Sequence, residues 1–161
     1  MYKTTKDHSI LKDLGFSLLE EGKIIKIKAC GYSMYPAIKP GSIIFIEPLP
    51  ENEKPVPGEI ISRKRGQGLV VHRLIRIIRN NDQLSFVTRG DSCIREDLPV
   101  SQDQIVGRVI KITDNKGRIS EGPQLIRKPH YIYNRIRVRI ILTIKKTLNI
   151  LFRLTVKTNE S

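Results

Sequence analysis

The chain has 161 residues, the size of one domain, and can bury a core without disulfides or a structural metal. With 39% hydrophobic and 28% charged residues it is not a disordered chain, and with no Trp and 6% aromatics its core must be built mostly of Ile, Leu and Val. A net charge of +13 points to a polyanionic partner surface, lipid or nucleic acid, while Cys30 and Cys93 are too few for a disulfide framework or a zinc site.

Residues 1–9 are polar and charged, so the chain does not open as a secretory signal, which needs about 7–15 apolar residues in a row. No stretch reaches the roughly 18–20 apolar residues of a membrane-spanning helix. Ile10, Leu11, Leu14, Leu18 and Leu19 recur at helical spacing before Gly22, which predicts a helix over 8–21. From Lys23 the period changes to two. Ile25-Lys26-Ile27-Lys28 alternates as a half-buried strand does, and β-type runs follow at 42–47, 58–63, 68–79, 83–88 and 104–112. Turn residues separate them: Lys39-Pro40-Gly41, Pro48 to Gly58, Gly66-Gln67-Gly68, Asn80-Asn81-Asp82 and Asp114-Asn115-Lys116-Gly117. The expected fold is mainly β, a compact domain over 23–122 built as a sandwich or partial barrel, after a short N-terminal helix in residues 1–22.

The charge is concentrated beyond the Gly122-Pro123 pair. Between Gln124 and Lys157 there are nine basic residues and no acidic one, which leaves about +4 for the body. Residues 123–161 therefore read as a basic tail. At about 100° per residue, Ile136, Ile140, Ile141, Ile144, Leu148, Leu151, Phe152 and Leu154 share one broad face. Arg135, Arg139, Lys145, Lys146, Asn149 and Arg153 lie opposite, while Arg137, Leu142 and Ile150 break the pattern. Ile136 to Ile140 also alternates like a strand, so the start of the helix is open. Lys145 and Lys146 sit mid-segment, at about 2.5–3.5 kcal/mol each for a charge at a bilayer centre, which argues against crossing. The tail fits a membrane surface, a helix packed on the domain with a solvated basic face, or nucleic acid, in that order.

Three polar clusters stand against the β background. Gly31-Tyr32-Ser33-Met34-Tyr35-Pro36 follows the first strand, and Gly31 and Pro36 bracket a reversal that exposes Ser33 at a strand end. His72 lies inside Leu69-Val70-Val71-His72-Arg73-Leu74-Ile75, where a polar ring needs a partner. Thr88-Arg89-Gly90-Asp91, with Glu96-Asp97 beyond it, closes a later strand. Taken singly, a Ser in a turn is usually a turn residue, a His on an apolar strand is usually a bonded core residue, and Gly-Asp is usually a turn. Together they are a nucleophile, a base and a carboxylate that orients the base.

With these residues in order the chain resembles the type I signal peptidase family, in its branch with a histidine base found in endoplasmic-reticulum and archaeal enzymes. Gly31 to Pro36 resembles the G-x-S-M-x-P nucleophile box. Gly58-Glu59-Ile60-Ile61 is similar to the G-D-I-V strand, and Val71-His72-Arg73-Leu74-Ile75 to the V-H-R-V-I segment, where the bacterial-type branch has Lys before the Arg. Thr88 to Asp97 is similar to the family's acid-bearing loop, and Gly107-Arg108-Val109 to its closing strand. The likeness spans about residues 24–112. It implies a serine endopeptidase in which Ser33 attacks a peptide carbonyl, His72 takes its proton and Asp97 orients His72, with Asp91 as the alternative acid. It implies that Met34 and Pro36 shape the substrate groove with the backbone around Ser33. No metal or cofactor is expected, and the substrate is a peptide or preprotein.

A histidine base has a physical advantage. A Lys must lose over 3 pKa units to be neutral near pH 7, roughly 4–5 kcal/mol of burial, and a His needs almost none. A His base predicts an acidic limb in the pH–rate profile at about pH 6–7. A rate still rising from about pH 8 to 10 would point to a Lys, with Lys64 nearest.

The chain departs from that family in lacking a spanning segment before the Ser box and in carrying Ser42 where Asp is common. The basic tail is the expected anchor instead, giving a membrane-associated or cytoplasmic protein, with nucleic acid as the weaker partner. Two other readings stay open. One is a catalytically inactive peptidase fold that binds anionic lipid or nucleic acid. The other is a self-cleaving peptidase like the SOS repressors, which share the Ser box but use Lys. In the latter, the Cys30-Gly31 bond is only two residues from Ser33, too close to fold back into the site.

Overall fold

The computed structural model describes residues 15, 17–50, 52–66, 68–81 and 83–158, with side chains described as far as Phe152. Within them the chain is mainly β. The strands are β1 (Ile25–Lys28), β2 (Ile43–Pro48), β3 (Ile60–Arg65), β4 (Gly68–Asn80), β5 (Gln83–Arg89), β6 (Ile105–Thr113) and β7 (Ile119–Glu121). They form one antiparallel sheet in the order β1-β2-β6-β3-β4-β5, with β7 paired to β6. β6 is the hub. β2 pairs along one edge, and the other edge is shared by β3 near Ile105–Arg108 and by β7 at Lys111–Thr113. Irregular register at Phe45/Ile46, Ser62/Arg63 and Leu74/Arg76 marks where the pairing shifts, as bulges do when they bend strands.

The expected strands from 25 to 113 all form, each within a few residues of its predicted ends. β7 was not expected, because three residues carry too little periodicity to register. The expected helix over 8–21 is seen only in part. Residues 17–20 are helical, and residues 8–14 and 16 lie outside the described residues. Its end is the predicted one. Gly22 has φ of 77°, Gly22 N–H bonds Leu19 O at 3.0 Å and Lys23 N–H bonds Leu18 O at 2.9 Å, the paired closing bonds of a left-handed cap.

Ile dominates the core, as the composition requires, and the core lies on both faces of the sheet. One cluster gathers Leu19, Ile25, Met34, Ile38, Ile44, Ile46, Ile60, Val109, Ile112 and Leu125. The other gathers Ile61, Leu74, Phe86, Val100 and Ile105. Adjacent Ile60 and Ile61 on β3 serve opposite clusters, as a period of two dictates. Each fully buried aliphatic side chain stabilises the fold by about 1.5–3 kcal/mol before entropy is counted.

The helix α1 (Tyr131–Thr158) runs 28 residues from just after Pro129. The strand-like alternation at 136–140 thus gives way to a helix. It touches the body through Asn134 and Val138, which are buried, while Ile132, Ile136, Ile140, Ile144 and Leu148 are 51–79% exposed. The expected apolar stripe therefore exists but faces away from the domain. No helix among the described residues is long and apolar enough to cross a membrane.

Candidate active site

Three segments converge on one end of the sheet: the turn after β1, the middle of β4 and the loop after β5. The turn is built by local bonds. Tyr35 N–H reaches Tyr32 O at 3.0 Å and Ile38 N–H reaches Met34 O at 2.9 Å. Met34, expected to shape the substrate groove, is 4% exposed and packs in the first core cluster, so it pins the turn to the core. Pro36, expected in the same role, follows a cis Tyr35–Pro36 peptide and is half-buried, as Ser33 is.

The loop after β5 grips this turn from the other side. Ser92 N–H donates to the Ser33 carbonyl at 2.9 Å, and Ser92 Oγ donates to Tyr32 O at 2.6 Å and lies 3.1 Å from Ser33 O. Gly90 makes the close approach possible. A β-carbon there would stand 2.7 Å from Ser33 O, 2.6 Å from Cys93 Sγ and 3.1 Å from His72 Nε2. Ser33 O and His72 Nε2 therefore lie within about 6 Å of each other across Gly90. Gly90→Ala must push the two apart. It is expected to cost about 10²-fold in activity with the fold retained, read by a cleavage assay beside a thermal melt. Unchanged activity would contradict this geometry.

His72 and Arg73 are neighbours on β4 and serve opposite faces of the sheet. His72 Nδ1 lies 2.6 Å from Asp97 Oδ2. The same oxygen accepts from Thr88 Oγ1 at 2.6 Å and faces Arg63 Nη2 at 3.3 Å, and Arg63 Nε donates to Thr88 Oγ1 at 3.3 Å. Asp97 N–H closes the loop onto Thr88 O at 2.8 Å. Burial works to raise the Asp97 carboxyl, but hydrogen bonds from His72 and Thr88 and the charges of His72 and Arg63 outweigh it and hold it below its ordinary value. Asp97 is thus an anion at neutral pH. An anionic carboxylate only accepts, so Nδ1 donates to it, and in the neutral ring the lone pair then falls on Nε2.

The sign of the stability effect follows. A carboxyl lowered by folding adds stability above its unfolded value, near pH 4, and loses it as pH falls through the lowered folded value. The acid-unfolding slope of Asp97→Asn is expected to be shallower than that of the wild type below about pH 4. Equal slopes in a pH series of urea melts would show that Asp97 is not held in this way.

Asp91, the alternative acid, is placed elsewhere. Arg73 Nε and Nη2 donate to its two carboxylate oxygens, each at 2.8 Å, with both side chains 2% exposed. Arg73 Nη1 also donates to Gly58 O at 2.7 Å and Leu125 O at 2.6 Å. Asp91 therefore locks the base of the loop, and the acid beside His72 is Asp97. Lys64, the alternative base, lies 3.2 Å from Glu20 and lines a cavity of about 710 Å³ whose walls include none of Ser33, His72 and Asp97.

Cys93 stands beside His72, but burial first and the Asp97 charge second push its thiol up. It stays protonated at neutral pH, which makes it a poor nucleophile. Arg63 is given no role by the sequence, and Thr88 and Gly90 enter it only as parts of the Thr88-Arg89-Gly90-Asp91 motif. Arg63 had a faint signal. It stands two residues from Ile61, which pairs with His72 across the strands, so it shares that face of the sheet.

A family described as peptidase S24-like matches residues 3–110, about two thirds of the chain. No curated protein matches it. Its fold is of the serine-peptidase type, and the chain belongs to the peptidase S24-like family.

Proposed function

We propose that the protein is a serine endopeptidase of the signal-peptidase type, with Ser33 as nucleophile, His72 as general base and Asp97 as the group that orients His72. The observation that carries this reading is the 2.6 Å bond between His72 Nδ1 and Asp97, which turns Nε2 toward Gly90, within about 6 Å of the Ser33 backbone carbonyl. The Ser33 hydroxyl proton passes to His72 Nε2 as Oγ bonds the substrate carbonyl carbon. The imidazolium returns that proton to the leaving amine as the C–N bond breaks. A water then repeats the exchange, releasing the acyl product and restoring Ser33.

The signal-peptidase branch is preferred over a self-cleaving repressor because the base position in Val71-His72-Arg73 holds His, not Lys. The substrate class is a peptide or preprotein with small residues before the cut. The test is a panel of signal-peptide-like substrates incubated with the wild type, Ser33→Ala and His72→Ala. Cleavage by the wild type alone supports the reading. Cleavage that survives Ser33→Ala sinks it, and cleavage only of the chain's own bonds moves it to the self-cleaving branch.

A further inference from the structure

We propose that the outward face of α1 is a docking surface for an anionic lipid bilayer. Three properties of the helix meet in this occupant. Its outward stripe carries Ile132, Ile136, Ile140, Ile144 and Leu148, each more than half exposed. The segment from Gln124 to Lys157 holds nine basic residues and no acidic one, and Arg135, Arg139 and Lys146 flank the stripe. The helix is too polar to cross, so it lies in the interface with apolar side chains among the acyl chains and basic ones at the headgroups.

Other occupants satisfy only half of this. Nucleic acid would match the basic flank and leave the apolar stripe in water. A second copy would cover the stripe and bring two strongly basic helices together. An anionic bilayer meets both requirements.

The inner side of α1 ties this surface to the candidate active site. Asn134 Nδ2 donates to Asp91 O at 3.1 Å, and Lys145 Nζ donates to Tyr32 Oη at 2.6 Å. The Arg137 guanidinium sits 5.5 Å from the Tyr35 ring centre. Tyr32 and Tyr35 flank Ser33, so docking through α1 holds the nucleophile turn close to the bilayer. The surface itself does not depend on the chemistry of Ser33.

The test is flotation of the full chain on phosphatidylcholine vesicles with and without phosphatidylglycerol. Partition is expected to be at least about tenfold stronger with the anionic lipid. The double variant Ile140→Glu with Ile144→Glu, at exposed positions, should lose about tenfold or more on both vesicles. The Arg139→Gln, Lys146→Gln double variant should lose about tenfold or more on the anionic ones only. Ser33→Ala should float as the wild type does, and flotation without any hydrolysis would keep this surface while removing the peptidase reading. The proposal is overturned if the wild type does not float, or if Ile140→Glu with Ile144→Glu leaves flotation unchanged. It is also overturned by a lipid-free dimer that the same variant dissolves, or by duplex DNA binding that is tighter than vesicle binding and indifferent to that variant.

Discussion

Replacing His72 with alanine is expected to lower kcat/KM for peptide cleavage by about 10⁴-fold or more, with a melting temperature close to the wild type. Among the described residues near Gly90, Cys93 is held as a thiol, and Lys64 lines a cavity whose walls include none of Ser33, His72 and Asp97. Asp97→Asn should be milder, well short of the roughly 10⁴-fold that a wrong histidine tautomer costs. Asp97 Oδ2 faces His72, Thr88 and Arg63, all of which can donate to it. Those donors select the amide orientation that puts the Asn oxygen in the same place, so Nδ1 keeps its proton and only the negative charge is lost. Adding Thr88→Val removes one of these three donors and should deepen the loss. Steady-state rates for the three proteins decide this. A loss in Asp97→Asn as large as in His72→Ala would mean that the amide turns its nitrogen to the ring.

The largest effect on stability is expected at Arg73 and Asp91. Breaking a buried, hydrogen-bonded ion pair by removing one partner costs about 3–5 kcal/mol, because the other charge is left without compensation. For a chain of this size that is a fall of about 6–20 °C in melting temperature. Arg73→Met and Asp91→Leu should each show it. The double variant should recover only part, since Arg73 also serves the Gly58 and Leu125 carbonyls, which would then lack a donor. A double-mutant cycle by thermal melts measures the coupling. Additive losses would show that the two side chains act independently. Leu125 lies beyond the Gly122-Pro123 pair, so the same cycle also reports how firmly that segment is fastened to the body.

Much of the β body was legible because its strands alternate cleanly and its turns are marked by Gly, Pro, Asn and Asp. Which strands pair was not. β6 comes sixth in the chain yet sits between β2 and β3, and no local pattern encodes so distant a pairing. The candidate site divides in the same way. Ser33, His72 and Asp97 were named because their residue types suit the chemistry and their motifs resemble a known set. Arg63 and Gly90 were missed because their roles exist only after folding. An Arg on a basic strand looks solvated until burial is known, and a Gly-Asp pair looks like any turn until the space around its Cα is seen. The tail's sequence is amphipathic, but the direction of its apolar stripe depends on Asn134 meeting the Asp91 carbonyl, a contact 43 residues apart.

The most direct test of the account is reaction of the protein with a serine-directed phosphonate, followed by intact mass and peptide mapping at neutral pH. A single adduct on Ser33 is predicted for the wild type, none for Ser33→Ala, and formation slowed by about 10³-fold or more in His72→Ala. An adduct on another residue, or His72→Ala labelling Ser33 as fast as the wild type, would contradict the claim that His72 activates Ser33.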